Sequence, residues 1–276
     1  MEGDILDTDK LGSVAKQGFD GVIHLAAFKA AGESMILPEK YSVNNISGTI
    51  NIINCASKAG IKNIVFSSSA AVYGEPAYLP IDEDHPLNPE NYYGYTKLQI
   101  EGLLAWYDKL KEIKSASLRY FNAAGYDTKG RIKGLERNPA NLLPVIMETA
   151  AGMREKIDVF GNDYPTPDGT CIRDYVHVTD LADAHFLAMK YLIKENKSIT
   201  LNLGSDTGIS VLEMIEKARK ITGKPIATKI APRRPGDAVK LIAKSDKAEK
   251  VIGYKAKNSS ADTLISSSWE VYKQNQ

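Results

Sequence analysis

In the segment ENYYGYTKLQIEG, residues 90–102, three tyrosines precede a single lysine. Residues four apart on a helix share a face. Tyr93 stands four positions before Lys97, whereas Tyr92 and Tyr95 are out of register with it. A free phenol has a pKa near 10, so only about one molecule in a thousand is phenolate at neutral pH. A cation within roughly 4–6 Å shifts an ionisable neighbour by about one to three units. Lys97 is therefore expected to depress the Tyr93 pKa and make it an acid–base group. The same spacing arises by chance on many helices, so context has to carry the reading. FSSSAAVYG, residues 66–74, supplies it: the segment ends a predicted strand and offers Ser69, a hydroxyl able to share a proton with the phenol.

These residues need a scaffold that brings strand ends to helix starts. GVIHLAA (21–27) and NIVFSSS (63–69) are short apolar runs rich in Val and Ile, and SLRYFNAAG (117–125) repeats the pattern. Residues 38–60, with Val43, Ile46, Ile50 and Ile53 three or four apart, and Tyr93 to Lys111, free of proline, have helical character. Strand alternating with helix predicts a parallel sheet with helical crossovers, an α/β fold. Ligands gather at the carboxyl ends of such strands, so His24 to Lys29, Ser67 to Gly74 and Tyr120 to Gly125 should converge on one cleft. Beyond residue 122 the rhythm changes. A short helix over 141–152, a loop over 163–170, a helix over 178–196 capped by Thr179 or Asp180, a strand at ITLNLGS and a helix over 210–223 from Ser210 to Gly223 are predicted. This divides the chain into a Rossmann-like part, 1–121, and a smaller mixed α/β substrate-binding lobe, 122–276, with 172–197 packing back on the first.

The chain has 276 residues, with Lys plus Arg at 35 against Asp plus Glu at 34. So even a balance argues against nucleic acid or an anionic membrane as the main partner. Cys55 and Cys171 lie far apart, and His24, His85, His177 and His185 lack metal-site spacing, so no metal is expected and a cytoplasmic setting is. The first residues, MEGDILDTDKLG, are acidic and polar rather than signal-like. No apolar run approaches the length of a membrane span.

A strand-end Ser followed by Tyr-x-x-x-Lys is the constellation of short-chain dehydrogenases and reductases. With GDI (3–5), HLAAFKAAGES (24–34), YYGYTK (92–97), RYFNAAG (119–125), FGNDYPTPDGTCIRDYVHVTDLADAH (160–185) and APRRPGD (231–237), the chain resembles the extended branch of that superfamily. Within it the resemblance is to the UDP-glucose 4-epimerase family, and it runs from about residue 3 to the C-terminus. The block 160–185 is its sharpest part. The resemblance implies an isomerase that interconverts UDP-glucose and UDP-galactose, with NAD as a retained cofactor and a 4-keto sugar between. It assigns Tyr93 as the base and acid at the C4 hydroxyl, Ser69 as the group that orients that hydroxyl, and Lys97 as the partner of the nicotinamide ribose. For NAD it also implies Asp4, Ile5, Leu25, Ala26, Ala27, Phe28, Lys29, Asn44 and Phe121. For the UDP-sugar it implies Asn122, Asn141, Leu142, Asp158, Val159, Phe160, Arg173, Arg234, Asp237 and Leu241, the arginine forks matching phosphate oxygens. Arg233 reads as a solvated neighbour, and core packing is as good an account of Leu25 and Ile5. A homodimer built on the helices around 44–60 and 93–111 is also implied.

The sequence departs from that pattern in two places. Dinucleotide folds place GxxGxxG or GxGxxG after their first strand, and no such turn occurs here; relative to the family, roughly 50 amino-terminal residues are expected to be missing. Leu241 stands where members strict for glucose and galactose often carry tyrosine, which leaves N-acetylated sugars open. Of the rival readings, a sugar-nucleotide 4,6-dehydratase needs an acid pair beside the serine, where this chain has Ala70 and Ala71. A catalytically dead UDP-sugar-binding scaffold is the other. The chain is expected to bind NAD weakly, and recovery of one NAD per purified protein would overturn that expectation.

Overall fold

The computed structural model describes residues 1–234 and 237–275. The first half runs α1 (Thr8–Ala15), β1 (Val22–His24), α2 (Ala31–Ser34), α3 (Pro38–Tyr41), a π-helical turn (Ser42–Ser47), α4 (Gly48–Lys58), β2 (Asn63–Ser69), α5 (Tyr92–Lys111) and β3 (Lys114–Tyr120). Then follow β4 (Asn122–Ala124), α6 (Leu142–Ala150), β5 (Ile157–Phe160), β6 (Ile172–His177), α7 (Val178–Glu195), β7 (Ile199–Leu203) and β8 (Gly208–Ser210). The chain continues through α8 (Val211–Thr222), β9 (Thr228–Ala231), β10 (Lys240–Leu241), α9 (Asp246–Ile252) and α10 (Ala261–Tyr272).

A parallel sheet of order β1-β2-β3-β7 forms the frame. Its central strands are buried along their whole inner length, as parallel strands covered on both faces must be. On one face α4 and α5 pack Ile53, Ile100 and Leu104 against Ile64 and Phe66. On the other, α7 and α9 pack Leu181, Ala184, Ala188 and Ala248 against Val65, Leu118 and Leu201. A second sheet, β10-β6-β4 with β8 antiparallel to β6, and the β5–β9 pair are separate from this frame. Beside them α6, α8 and α10 enclose Ile146, Met147, Met214, Ile215 and Ile265.

The predicted helix over 38–60 is continuous but carries the π-turn, which turns Asn45 inward and fully buries it. Ser210 caps α8 through Glu213 N–H, and Gly223 ends it in the left-handed region, as the sequence indicates. At α7 the expectation needs correcting. The cap is His177, whose Nδ1 accepts from Thr179 N–H at 3.0 Å, because the helix begins at Val178, two residues earlier than a Thr179 cap implies. Asp180 instead binds Asn258 and Ser259 and ties the carboxyl-terminal segment to α7.

Asp174 on β6 joins the lobes' connecting loops. Its buried carboxylate accepts from Ser205 N–H at 2.8 Å, Ser205 Oγ at 2.6 Å, and Asp206 and Ala243 N–H at 3.1 Å each. Burial is the largest influence on it and raises its pKa to about 6. A carboxyl raised above its unfolded value adds stability that is complete below about pH 4 and is lost as pH rises through the folded pKa. Asp174→Ala, which strands four donors, is expected to lower the unfolding free energy by about 3 kcal/mol in urea titrations at neutral pH. It should also abolish the decline in stability between about pH 4 and 6.

Candidate active site

β2 ends in three consecutive serines, and α5 lies across that end. The helix starts where Asn91 accepts from Gly94 N–H at 2.9 Å. Gly94 is required there: a Cβ at this position would stand 2.3 Å from the Ala71 carbonyl oxygen. This close approach brings the first turn of α5 to the turn after Ser69, and so brings Tyr93 to Ser69. Tyr93 N–H donates to Ser34 Oγ at 3.0 Å, which fixes the helix start to α2 as well.

Tyr93, Ser69 and Lys97 line one cavity of about 960 Å3. Lys97 is only 3% exposed. Its ammonium donates to the Ser67 carbonyl at 2.8 Å and lies 4.8 Å from the Phe66 ring centroid and 5.7 Å from that of Tyr93. Burial lowers its pKa to about 8, with Glu101 opposing. The expectation that Lys97 depresses the phenol is not met in this geometry, because the ammonium is turned toward the Ser67 carbonyl. Burial dominates and pushes the Tyr93 phenol well up, while the Ser69 hydroxyl pulls the other way by hydrogen bonding. The Tyr93 side chain still reaches the cleft, so solvent tempers that push.

The loop after β1 forms the opposite rim. Asn45 holds it through both ends of its amide: Oδ1 accepts from Phe28 N–H at 2.9 Å and Nδ2 donates to the Phe28 carbonyl at 3.0 Å. Leu25, Ala27 and Lys29 line the large cavity. Lys29 pairs with Glu136 across it at 2.6 Å. His24, buried beneath, bonds Thr49 through Nε2 at 2.8 Å, leaves Nδ1 unpartnered and is neutral, its pKa lowered to about 4 by burial first and Lys97 second. Of the remaining residues expected at a cofactor, Phe121 joins the cavity wall. Asp4, Ile5, Ala26, Phe28 and Asn44 stand outside it. Asp4 caps the Leu6 N–H, Ile5 packs on Gly48, and the Phe28 ring meets Tyr41 and the Lys40 ammonium. Asn44 donates to Asn45. The β1 edge leaves Ile23 and Leu25 exposed.

A second cavity of about 320 Å3 adjoins the first, sharing Asn122, Ala123, Ala124, Asn141 and Pro144. It collects Asn122, Asn141, Leu142, Asp158, Phe160, Arg173, Arg234 and Asp237. Arg173 donates to the Ala238 carbonyl at 2.7 Å and approaches Asp237 at 3.5 Å, while Arg234 lies over the Phe160 ring at 3.7 Å. Two expected substrate residues fall elsewhere. Val159 is 1% exposed and its side chain turns into the core, because strand alternation on β5 sends it opposite Asp158 and Phe160. Leu241 packs against the cluster of Tyr73 and Phe121 rather than lining either cavity. Arg233 stacks on Tyr164 and pairs with Asp163. Sequence reasoning missed Asn45 and Glu101, whose partners come from distant segments.

Residues 1–204 match the NAD dependent epimerase/dehydratase family. The chain is 45% identical over 274 residues to the UDP-glucose 4-epimerase of Halalkalibacterium halodurans, covering 99% of this chain and 82% of that protein. With the UDP-glucose 4-epimerase of Streptococcus mutans it shares 47% over 271 residues, 97% of this chain and 81% of that one. Among solved structures, the UDP-glucose 4-epimerase of Brucella ovis in complex with NAD superposes with a TM-score of 0.96 at 39% identity, over 99% of this chain and 84% of that one. The Bifidobacterium longum enzyme in complex with NAD+ and UDP gives 0.92 at 38%, over 100% and 83%.

The lowered pKa of Lys97 has a thermodynamic consequence. A base depressed on folding weighs against the fold below its folded pKa, and the penalty fades as pH rises toward the unfolded value. Lys97→Met is therefore expected to be about 2 kcal/mol more stable than the parent at pH 7. In calorimetric scans that advantage should shrink between about pH 8 and 10.5.

Proposed function

Because the chain belongs to the NAD dependent epimerase/dehydratase family, we propose that it is a UDP-glucose 4-epimerase, interconverting UDP-glucose and UDP-galactose through a 4-keto sugar. The observation that carries this reading is the placement of Tyr93, Ser69 and Lys97 on one wall of a cavity that opens into a second, arginine-bearing one. Two features of the lining suit a bound NAD: the loop over 25–29 is fixed by Asn45, and Lys29 and Lys97 both line the cavity, the first paired with Glu136 and the second turned to the Ser67 carbonyl. When bound, NAD supplies a hydride acceptor that later serves as donor, so net redox is zero.

On this reading Tyr93 accepts the C4 hydroxyl proton as hydride leaves the carbon, and returns it when hydride re-enters from the other face. Ser69 orients that hydroxyl. Lys97 stabilises the phenolate form of Tyr93, which must exist before the proton is accepted and re-forms when it is returned, and a catalytic pose has its ammonium nearer that oxygen than the Ser67-bound arrangement does. Arg173 and Arg234 hold the diphosphate. Two copies are proposed to pair through α4 and α5, where Trp106 is 59% and Leu110 70% exposed. A cytoplasmic setting belongs to the same reading and rests on the two unpaired cysteines.

The protein incubated with NAD and UDP-galactose is expected to form UDP-glucose, and Tyr93→Phe to lower turnover by about 10²–10⁴-fold with UDP still bound. UDP binding without turnover in either protein would favour a binding scaffold instead. Relative turnover of UDP-galactose and its N-acetylated counterpart tests the role of Leu241: the packed position of that side chain predicts that both are accepted.

A further inference from the structure

Tyr93 and Lys97 are continued by Glu101, four residues further along the same face of α5. The three serines ending β2 meet these three residues one by one. Ser69 bonds Tyr93, the Ser67 carbonyl takes the Lys97 ammonium, and Ser68 Oγ donates to Glu101 at 2.5 Å. From β3, Arg119 grips the same carboxylate with Nη2 at 2.6 Å and Nε at 3.0 Å, and its Nη1 donates to Tyr73 OH at 3.0 Å. Tyr73 in turn donates to Asn202 on β7 at 2.6 Å. The Glu101 and Arg119 side chains are 9% and 6% exposed. A buried ion pair is seldom a gain in stability by itself, since desolvation offsets the attraction. Its value has to be sought in what it positions.

We propose that Glu101 is a positioning residue for the reaction: its carboxylate, locked by Ser68 and Arg119, is the counter-charge that keeps the Lys97 ammonium charged and fixes the rotation of α5 against β2 and β3. This rests on the epimerase reading for its purpose and not for its physics.

The surroundings of Lys97 single out Glu101. From β1 it is faced by His24, which is neutral. From β2 come the Ser67 carbonyl and the Phe66 ring, from α5 the Tyr93 phenol, and from β3 the Tyr120 phenol, which burial pushes up. His185 on α7 binds Ser67 Oγ at 2.9 Å and is itself held neutral by burial. Lys29, on the far rim of the cavity, is a like charge. Among the described residues Glu101, one helical turn from Lys97 and itself held by the Arg119 cation, is the anion on that face, and it opposes the effect of burial.

The test is an NMR titration of the Lys97 side chain in protein carrying ¹³C-labelled lysine, without nucleotide, with Lys97→Met to assign the signal. Glu101→Gln is expected to lower the Lys97 midpoint by at least about one pH unit, a tenfold rise in the ratio of neutral to charged amine. That variant leaves Arg119 unpaired, so Glu101→Gln/Arg119→Gln, which removes both charges, is titrated beside it and should shift the same way. With NAD and UDP-galactose added, the alkaline limb of turnover should move down by the same amount, with KM little changed. A midpoint unmoved in the folded variants overturns the proposal and leaves the epimerase reading intact. Turnover that survives Tyr93→Phe would sink that reading and leave the role of Glu101 standing.

Discussion

An ammonium group enclosed by protein is expensive, and the arrangement around Lys97 is built to tolerate one. Removing a lysine charge from water favours the neutral amine unless carbonyl dipoles, ring faces or an anion replace the lost hydration. Here all three are present: the Ser67 carbonyl, the Phe66 ring and the Glu101 carboxylate. Each comes from a different kind of placement. The carbonyl is set by the end of β2, the ring by strand alternation one residue earlier, and the anion by the helix repeat. A cation so held acts where water would otherwise screen it, so its field on a neighbouring phenol or a bound anion is stronger than at a surface.

The rest of the sheet follows from this requirement. α5 must approach the end of β2 closely enough for both elements to contribute, and Gly94 makes that approach possible where any side chain would strike the Ala71 carbonyl. The buried pairing of Glu101 with Arg119 then couples α5 to β3, and the Tyr73–Asn202 hydrogen bond carries the coupling to β7. Rotation of α5 would break the contacts of all three serines together. The polar network buys that rigidity at some expense in stability, as buried ionic networks do.

What could be read from the sequence was whatever depends on near neighbours. The helix repeat singles out Tyr93 over Tyr92 and Tyr95, and alternation of apolar strands and helices gives a parallel sheet. The cap at Ser210 and the stop at Gly223 are likewise local. Features set by long-range pairing were not legible. The partner of Glu101 lies on β3, and nothing around Arg119 in the sequence marks it as that partner. Asn45 looks like one of two adjacent asparagines until the π-turn buries it and leaves Asn44 at the surface of the bend. Val159 fell to the core because the strand parity of β5 is set by its pairing with β9, far along the chain. The direction of the Tyr93 pKa was misjudged for a related reason: spacing brings Lys97 to the right face, but the orientation of its ammonium is decided by a strand carbonyl.

On the proposed reading the two cavities divide binding from chemistry. Epimerisation by the proposed route requires that one end of the substrate stay fixed while the sugar presents first one face and then the other to the same proton-transfer group. A site that gripped the sugar along its whole length would bind well and fail at the second half of the reaction. The smaller cavity concentrates the strong directional contacts in Arg173, Arg234 and Asp237, with Phe160 as a flat apolar wall. The larger one, about three times its volume, is lined by Tyr93, Ser69 and Lys97, by apolar or small residues such as Leu25, Ala27 and Pro144, and by the charged side chains of Lys29, Asp127, Arg131 and Glu136. Hydrogen bonds that discriminate one sugar face would penalise the other, whereas apolar walls are indifferent to which is presented. On the proposed route, it is the apolar stretches of this mixed lining that let a single base serve both faces of the sugar.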